Sequence, residues 1–140
     1  MNKKVMKTAA TDRLILANAE KLISFTDRAD LLCRNSQRID DAYHKDWFFE
    51  FNGESYFTPP AVYIQEGVIK FINGRHRTIL LARYLTLFPV LVGHLDLDHH
   101  GGVPRQESID ALNEIMTSEF EEHATFSNLP ELECGNFPQP

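Results

Sequence analysis

The chain has 140 residues, 43% of them hydrophobic, and a formal net charge of −6. That length suits one domain with a real core, and a mean hydropathy of −0.30 fits a folded, water-soluble chain and excludes a disordered one. The acidic balance, with a pI near 5.4, argues against gripping nucleic acid over the whole surface, and no apolar run is long enough to span a membrane. The start, Met1-Asn2-Lys3-Lys4, has no apolar stretch behind it of the kind a secretion signal carries, so a cytoplasmic location is expected. Cys33 and Cys134 lie far apart in no metal-like spacing, which predicts two free thiols in a reducing compartment. Acidic side chains gather between residues 107 and 133 while basic ones lean toward the first half, leaving room for a local cationic site.

In chain order, residues 1–12 read as a loose basic arm. A strand is expected over 13–17, where Leu14, Ile15 and Leu16 stand together, followed by a short helix or turn through Ala17 to Leu22. Residues 27–39 read as a helix capped by Thr26 or Asp27, with Arg28, Arg34 and Arg38 spread along a solvated face. The next stretch is aromatic: Tyr43, Trp47, Phe48, Phe49, Phe51, Tyr56 and Phe57. It predicts a strand over 47–51, an Asn52-Gly53 hairpin turn and a return strand over 55–57. Such aromatics stack on bases in some proteins, but core or interface packing is the preferred reading.

Thr58-Pro59-Pro60 breaks the chain before a second hairpin, with strands over 61–64 and 68–72. Asn73-Gly74 is then a turn signal, and Arg75-His76-Arg77 stands at the head of a helix carrying Ile79, Leu80, Ala82, Arg83 and Tyr84, with Thr78 or Asn73 as its cap. A strand-to-helix turn presents backbone donors and the positive end of the helix dipole, and arginine adds a fork suited to phosphate oxygens. Anion binding is the functional reading of this motif, and pairing of its arginines with surface carboxylates is the bland one. A strand over 90–97 follows. If it persists, His94, Asp96 and Asp98 share one face, a pattern able to bind zinc or manganese or to assist proton transfer, while Leu95 and Leu97 face the core. No dedicated metal site is expected. Residues 104–123 read as a helix with Ile109, Leu112, Ile115, Met116 and Phe120 in one apolar stripe, and 125–140 as an irregular tail.

The run Asn73-Gly74-Arg75-His76-Arg77 before an apolar helix resembles the signature of the ParB/sulfiredoxin superfamily, over about residues 59 to 96. The resemblance implies an α+β fold, a small mixed β-sheet flanked by helices, as one domain over 13–124. It implies that Gly74, His76 and Arg77 hold the phosphate of a nucleoside triphosphate, ATP or CTP with Mg²⁺, or of a nucleic acid, and the local motif adds Arg75 and Thr78 as candidates for the same site. His76 would be the proton carrier and Asp96 the preferred base or metal-ligand partner, ahead of Glu66 and Asp98. Arg75 departs from the pattern: sulfiredoxins place their catalytic cysteine there, and partition proteins usually a glutamate, so the reductase chemistry is not expected. The activity implied is a nucleotide-dependent phosphotransferase, an NTPase or a nuclease. The alternative is a non-catalytic regulatory or inhibitor protein of plasmid or phage type, acting on a protein partner and not on a membrane.

Overall fold

Stretches rich in β-branched and aromatic side chains form the strands of this protein, and helices occupy the segments between them. The computed structural model describes residues 1–9, 11–27, 29, 42–99 and 101–135. In chain order these give β1 (Lys3–Val5), β2 (Arg13–Asn18), α1 (Ala19–Phe25), β3 (Tyr43–His44), a 3₁₀ turn (Lys45–Trp47), β4 (Phe48–Phe51) and β5 (Glu54–Phe57). There follow β6 (Ala61–Gln65), β7 (Val68–Asn73), α2 (Arg75–Tyr84), β8 (Leu87–Leu95), α3 (Gln106–Ile115), β9 (Met116–Glu119), β10 (Thr125–Phe126) and β11 (Cys134–Gly135). The architecture is mixed α+β. The helix expected over 27–39, its arginines and Cys33 fall almost wholly outside the described residues.

Five strands form one mixed sheet in the order β7-β6-β8-β2-β9. The β6–β7 hairpin turns at Glu66 and Gly67, whose φ angles of 54° and 78° are those of a tight primed turn. The chain then returns through α2, so β8 lies parallel to β6. Centrally placed, β8 is buried from Phe88 to Val92, which explains its unbroken apolar run. Pro89 is tolerated because β6 joins β8 only from Leu91 onward. Ala19 and Leu22 of α1, Leu80 and Leu81 of α2, and Ala111, Leu112 and Ile115 of α3 are buried in the core this sheet supports. The sequence extends the last helix to residue 123; it stops at Ile115 because the following residues pair with β2 as strand β9.

A second mixed sheet has the order β10-β1-β5-β4. Here β1 runs parallel to β5 and antiparallel to β10, and Val5 is fully buried. The loose arm expected over 1–12 is thereby corrected: three residues too short to signal a strand become one by pairing on both sides. The expected irregular tail is corrected only at two short strands, while residues 127–133 between them have no regular structure. Thr125–Phe126 pairs with β1, Cys134–Gly135 pairs with β3, and the Tyr43 hydroxyl donates to Pro130 O at 2.6 Å. The aromatic stretch divides: Tyr43, Tyr56 and Phe57 are buried, whereas Phe49 and Phe51 stay 36% and 47% exposed on edge strand β4.

Beyond β8 the expected alternation fails. The strand ends at Leu95, and Leu97 is 56% exposed, not in the core. The Asp96 carboxylate turns inward to accept from Ser108 Oγ at 2.5 Å, Glu66 N at 3.0 Å and Arg105 Nε at 2.9 Å. It fastens the β6–β7 turn to the start of α3, and these bonds, chiefly that from Ser108, hold its pKa below the ordinary 3.8.

Two outcomes are expected. Val5→Ala should lower the unfolding free energy by about 2 kcal/mol in urea titrations, where a residue in a loose arm would change it by less than about 0.5 kcal/mol. Because the Asp96 pKa is depressed on folding, its contribution is complete above pH 3.8 and disappears as pH falls through the lower folded value. Asp96→Asn should therefore melt lower at neutral pH and lose less further stability between neutral and strongly acid pH.

Candidate functional site

The motif that signals anion binding joins β7 to α2. Gly74, the residue before the helix, has a φ of +96°, a conformation open to glycine and seldom to others. Space imposes the same choice: a Cβ there would lie 2.7 Å from Pro60 Cα and 3.0 Å from Arg77 Nε. Since Gly74 has no side chain to cap with, no side chain at the N-cap position covers the positive end of α2. Thr78 does not serve as the expected cap. Its hydroxyl donates back to Gly74 O at 3.0 Å, beside the Thr78 N–H at 2.9 Å.

Arg77 is the buried cation of the site, at 4% exposure. Nη1 donates to Thr58 O at 2.8 Å and, less closely, to Pro59 O at 3.4 Å. Its guanidinium lies 5.8 Å from the Trp47 ring centre, within cation–π range. Among the described residues Nε has no hydrogen-bond partner. Burial pulls the Arg77 pKa down to about 10, so the group remains charged at neutral pH despite its lost hydration.

These residues open onto a cleft of about 330 Å³. One side of it comes from His44, Asp46 and Trp47, carried by β3 and the 3₁₀ turn. Asn73, Gly74 and His76 form the other side, and Thr58 and Arg77 complete it. The His44 ring accepts from Asp46 N–H at 3.2 Å, and this bond shapes the 3₁₀ turn. Asp46 brings a carboxylate to a cleft that otherwise offers cationic, imidazole, hydroxyl and amide groups.

Of the residues the sequence nominates, the fold brings Gly74, His76 and Arg77 together here. Arg75 is exposed at the head of α2 and does not line the cleft. Thr78 is fully buried and also lies outside it. A helix rotates successive side chains by about 100°, so consecutive residues cannot all face one ligand. Asp96 is at the opposite end of β7, roughly 17 Å from Gly74 by strand rise. With its carboxylate held by three donors, Asp96 is not the partner of His76. Glu66 belongs to that remote turn as well. His94 stacks on Tyr63 at 5.0 Å on the sheet surface. Among the described residues no cluster of three or more His, Cys, Asp or Glu is arranged to hold a metal ion.

His44, Asp46, Trp47 and Thr58 are the cleft residues that the motif does not announce. Their only trace is the aromatic stretch itself, together with the Thr-Pro-Pro break that follows it. Comparisons with protein-family models, curated proteins and solved structures return no match for the chain. No described helix is long and apolar enough to cross a membrane.

Gly74→Ala is expected to cost roughly 1–3 kcal/mol, since it combines unfavourable φ with a contact against Pro60 backbone. Urea unfolding checks this, and a change below about 0.5 kcal/mol would show that the turn relaxes freely.

Proposed function

We propose that the protein binds a nucleotide or nucleic-acid phosphate in this cleft, with the phosphate at the head of α2 and against Arg77. The observation that carries this reading is the buried guanidinium whose Nε has no acceptor among the described residues, beside a helix start with no capping side chain. A phosphate oxygen in the cleft that Arg77 lines would offset the desolvation of its guanidinium. His76 lines the same cleft and is the side-chain type suited to moving a proton at neutral pH. Asp46, not Asp96, is the carboxylate that lines this cleft. On this reading the reaction classes are nucleotide hydrolysis, phosphoryl transfer or phosphodiester cleavage. ATP or CTP with Mg²⁺ are the ligands implied by the likeness of residues 73–77 to the ParB/sulfiredoxin superfamily. Asp46 is the sole carboxylate among the described lining residues, so the cation would arrive on the nucleotide's own phosphates.

A second reading, a regulatory protein acting through a protein surface, is favoured by Phe49 and Phe51, exposed on an edge strand. The two readings separate by substitution, because Phe49 and Phe51 are not among the cleft-lining residues.

Trp47 is the chain's one tryptophan and lines the cleft, so its fluorescence reports on occupancy. Titration with ATP, CTP and GTP, each with Mg²⁺, and with GMP, AMP and CMP should change that signal for at least one ligand and raise the melting temperature. His76→Ala should weaken binding about tenfold. Arg77→Ala should lose binding and stability together, since it also frees the Thr58 and Pro59 carbonyls. Silence of both probes at millimolar nucleotide would overturn the phosphate reading. The double variant Phe49→Ser/Phe51→Ser should keep the Trp47 response, and loss of that response would tie β4 to the ligand.

A further inference from the structure

Asp46 is out of place in a cleft built for an anion alone. Its carboxylate repels phosphate, yet it stands beside Trp47 in the same 3₁₀ turn, and its side chain is 74% exposed. Nor is it consumed by its neighbour. The His44 Nδ1 accepts from the Asp46 N–H at 3.2 Å, so the neutral ring carries its proton on Nε2. The 3.3 Å approach of Asp46 Oδ2 to that Nδ1 is an ion pair only when the ring is protonated. An acceptor-only group at the mouth of an anion site fits a ligand that brings hydrogen-bond donors as well as phosphate.

Asp46, Trp47 and Arg77 line one cleft, and the Arg77 guanidinium lies over the Trp47 ring at 5.8 Å from its centre, so a phosphate held at Arg77 keeps its base within reach of that cleft's mouth. An indole offers any base a stacking partner, but a carboxylate discriminates. Guanine presents an imino N–H and an amino group side by side, matching two carboxylate oxygens. Adenine and cytosine pair each amino group with a ring-nitrogen acceptor, and uracil flanks its imino group with carbonyls, so each sets a lone pair against the carboxylate. The cleft volume of about 330 Å³ lies at the small end of ligand sites, near about 300 Å³, and Arg77 is its one buried cation. Further phosphates would add charge without a matching buried partner.

Resting on the phosphate reading above, we infer that the cleft selects a guanine nucleotide carrying a single phosphate, with Asp46 as the specificity-determining residue and Trp47 as the stacking platform. The base stands at the open mouth, its donor edge on Asp46, and the phosphate sits at Arg77 beneath the start of α2.

The test compares GMP, IMP, AMP, CMP, GTP and inorganic phosphate by Trp47 fluorescence and by calorimetry. GMP should bind about tenfold more tightly than AMP or CMP, the discrimination typical of a bidentate base contact. IMP, which keeps the imino N–H and lacks the amino group, should fall between them. Asp46→Asn should bring GMP to the level of AMP at an unchanged melting temperature. Equal binding of GMP, AMP and CMP, or a guanine preference that survives Asp46→Asn, overturns the assignment of Asp46 and leaves the phosphate reading standing. GTP binding more than tenfold tighter than GMP overturns the single-phosphate part. No response to any of these ligands overturns both readings.

Discussion

The contact on which the rest of the molecule depends is that of the Arg77 guanidinium with the carbonyls of Thr58 and Pro59. Those residues form the passage from β5, in one sheet, to β6, in the other, and Trp47 O accepts from Thr58 N–H at 2.7 Å just beside it. A charge borne by α2 thus fastens the segment that joins the two sheets. Glycine at 74 follows from this arrangement, because Pro60 backbone and the guanidinium occupy the space a Cβ would need. The cost is a buried cation with one donor unmet among the described residues, on a side chain that also lines the cleft. Structural role and proposed ligand role therefore meet in one side chain. Removing it would confound them, while His76 can be changed without touching the join.

Two aspartates show how environment assigns different work to one side-chain type. Asp96 accepts from a hydroxyl, a backbone N–H and an arginine, which saturates it as a clasp between the β6–β7 turn and α3. Asp46 is largely exposed, linked to its neighbour mainly through its own backbone, and faces the cleft. A carboxylate already satisfied by three donors stabilises the fold, whereas one left with acceptor capacity beside an aromatic ring is available to a ligand. The alternating His-Leu-Asp-Leu-Asp run makes Asp96 the more conspicuous of the two in the sequence. Hydrogen bonding reverses that ranking.

The hairpin at Asn52-Gly53, the hairpin at Glu66-Gly67, the strand entering Gly74 and the helix leaving it were all legible in the sequence. In each, hydrophobic period and turn chemistry act within a few residues and agree with one another. Less was legible of β1, β10 and β11, which have only two or three residues each and take strand form from partners more than 40 residues away. The end of α3 was hidden for a related reason. Met116 continues the apolar stripe of a helix, but pairing with β2 draws residues 116–119 into a strand.

By itself the sequence determined a mixed α+β chain, an acidic surface balance, and a glycine turn that sets Gly74, His76 and Arg77 at the head of a helix. Those properties depend on composition and on short-range geometry, which a linear reading contains. The tertiary structure alone decided which of the motif's side chains reach a common cleft, since helical rotation turns Arg75 outward and Thr78 inward. It also decided that His44, Asp46, Trp47 and Thr58 would face that motif across a gap of some thirty residues of chain to its most distant member. Such juxtaposition comes from packing two sheets against a shared core, and no local spacing in the chain encodes it.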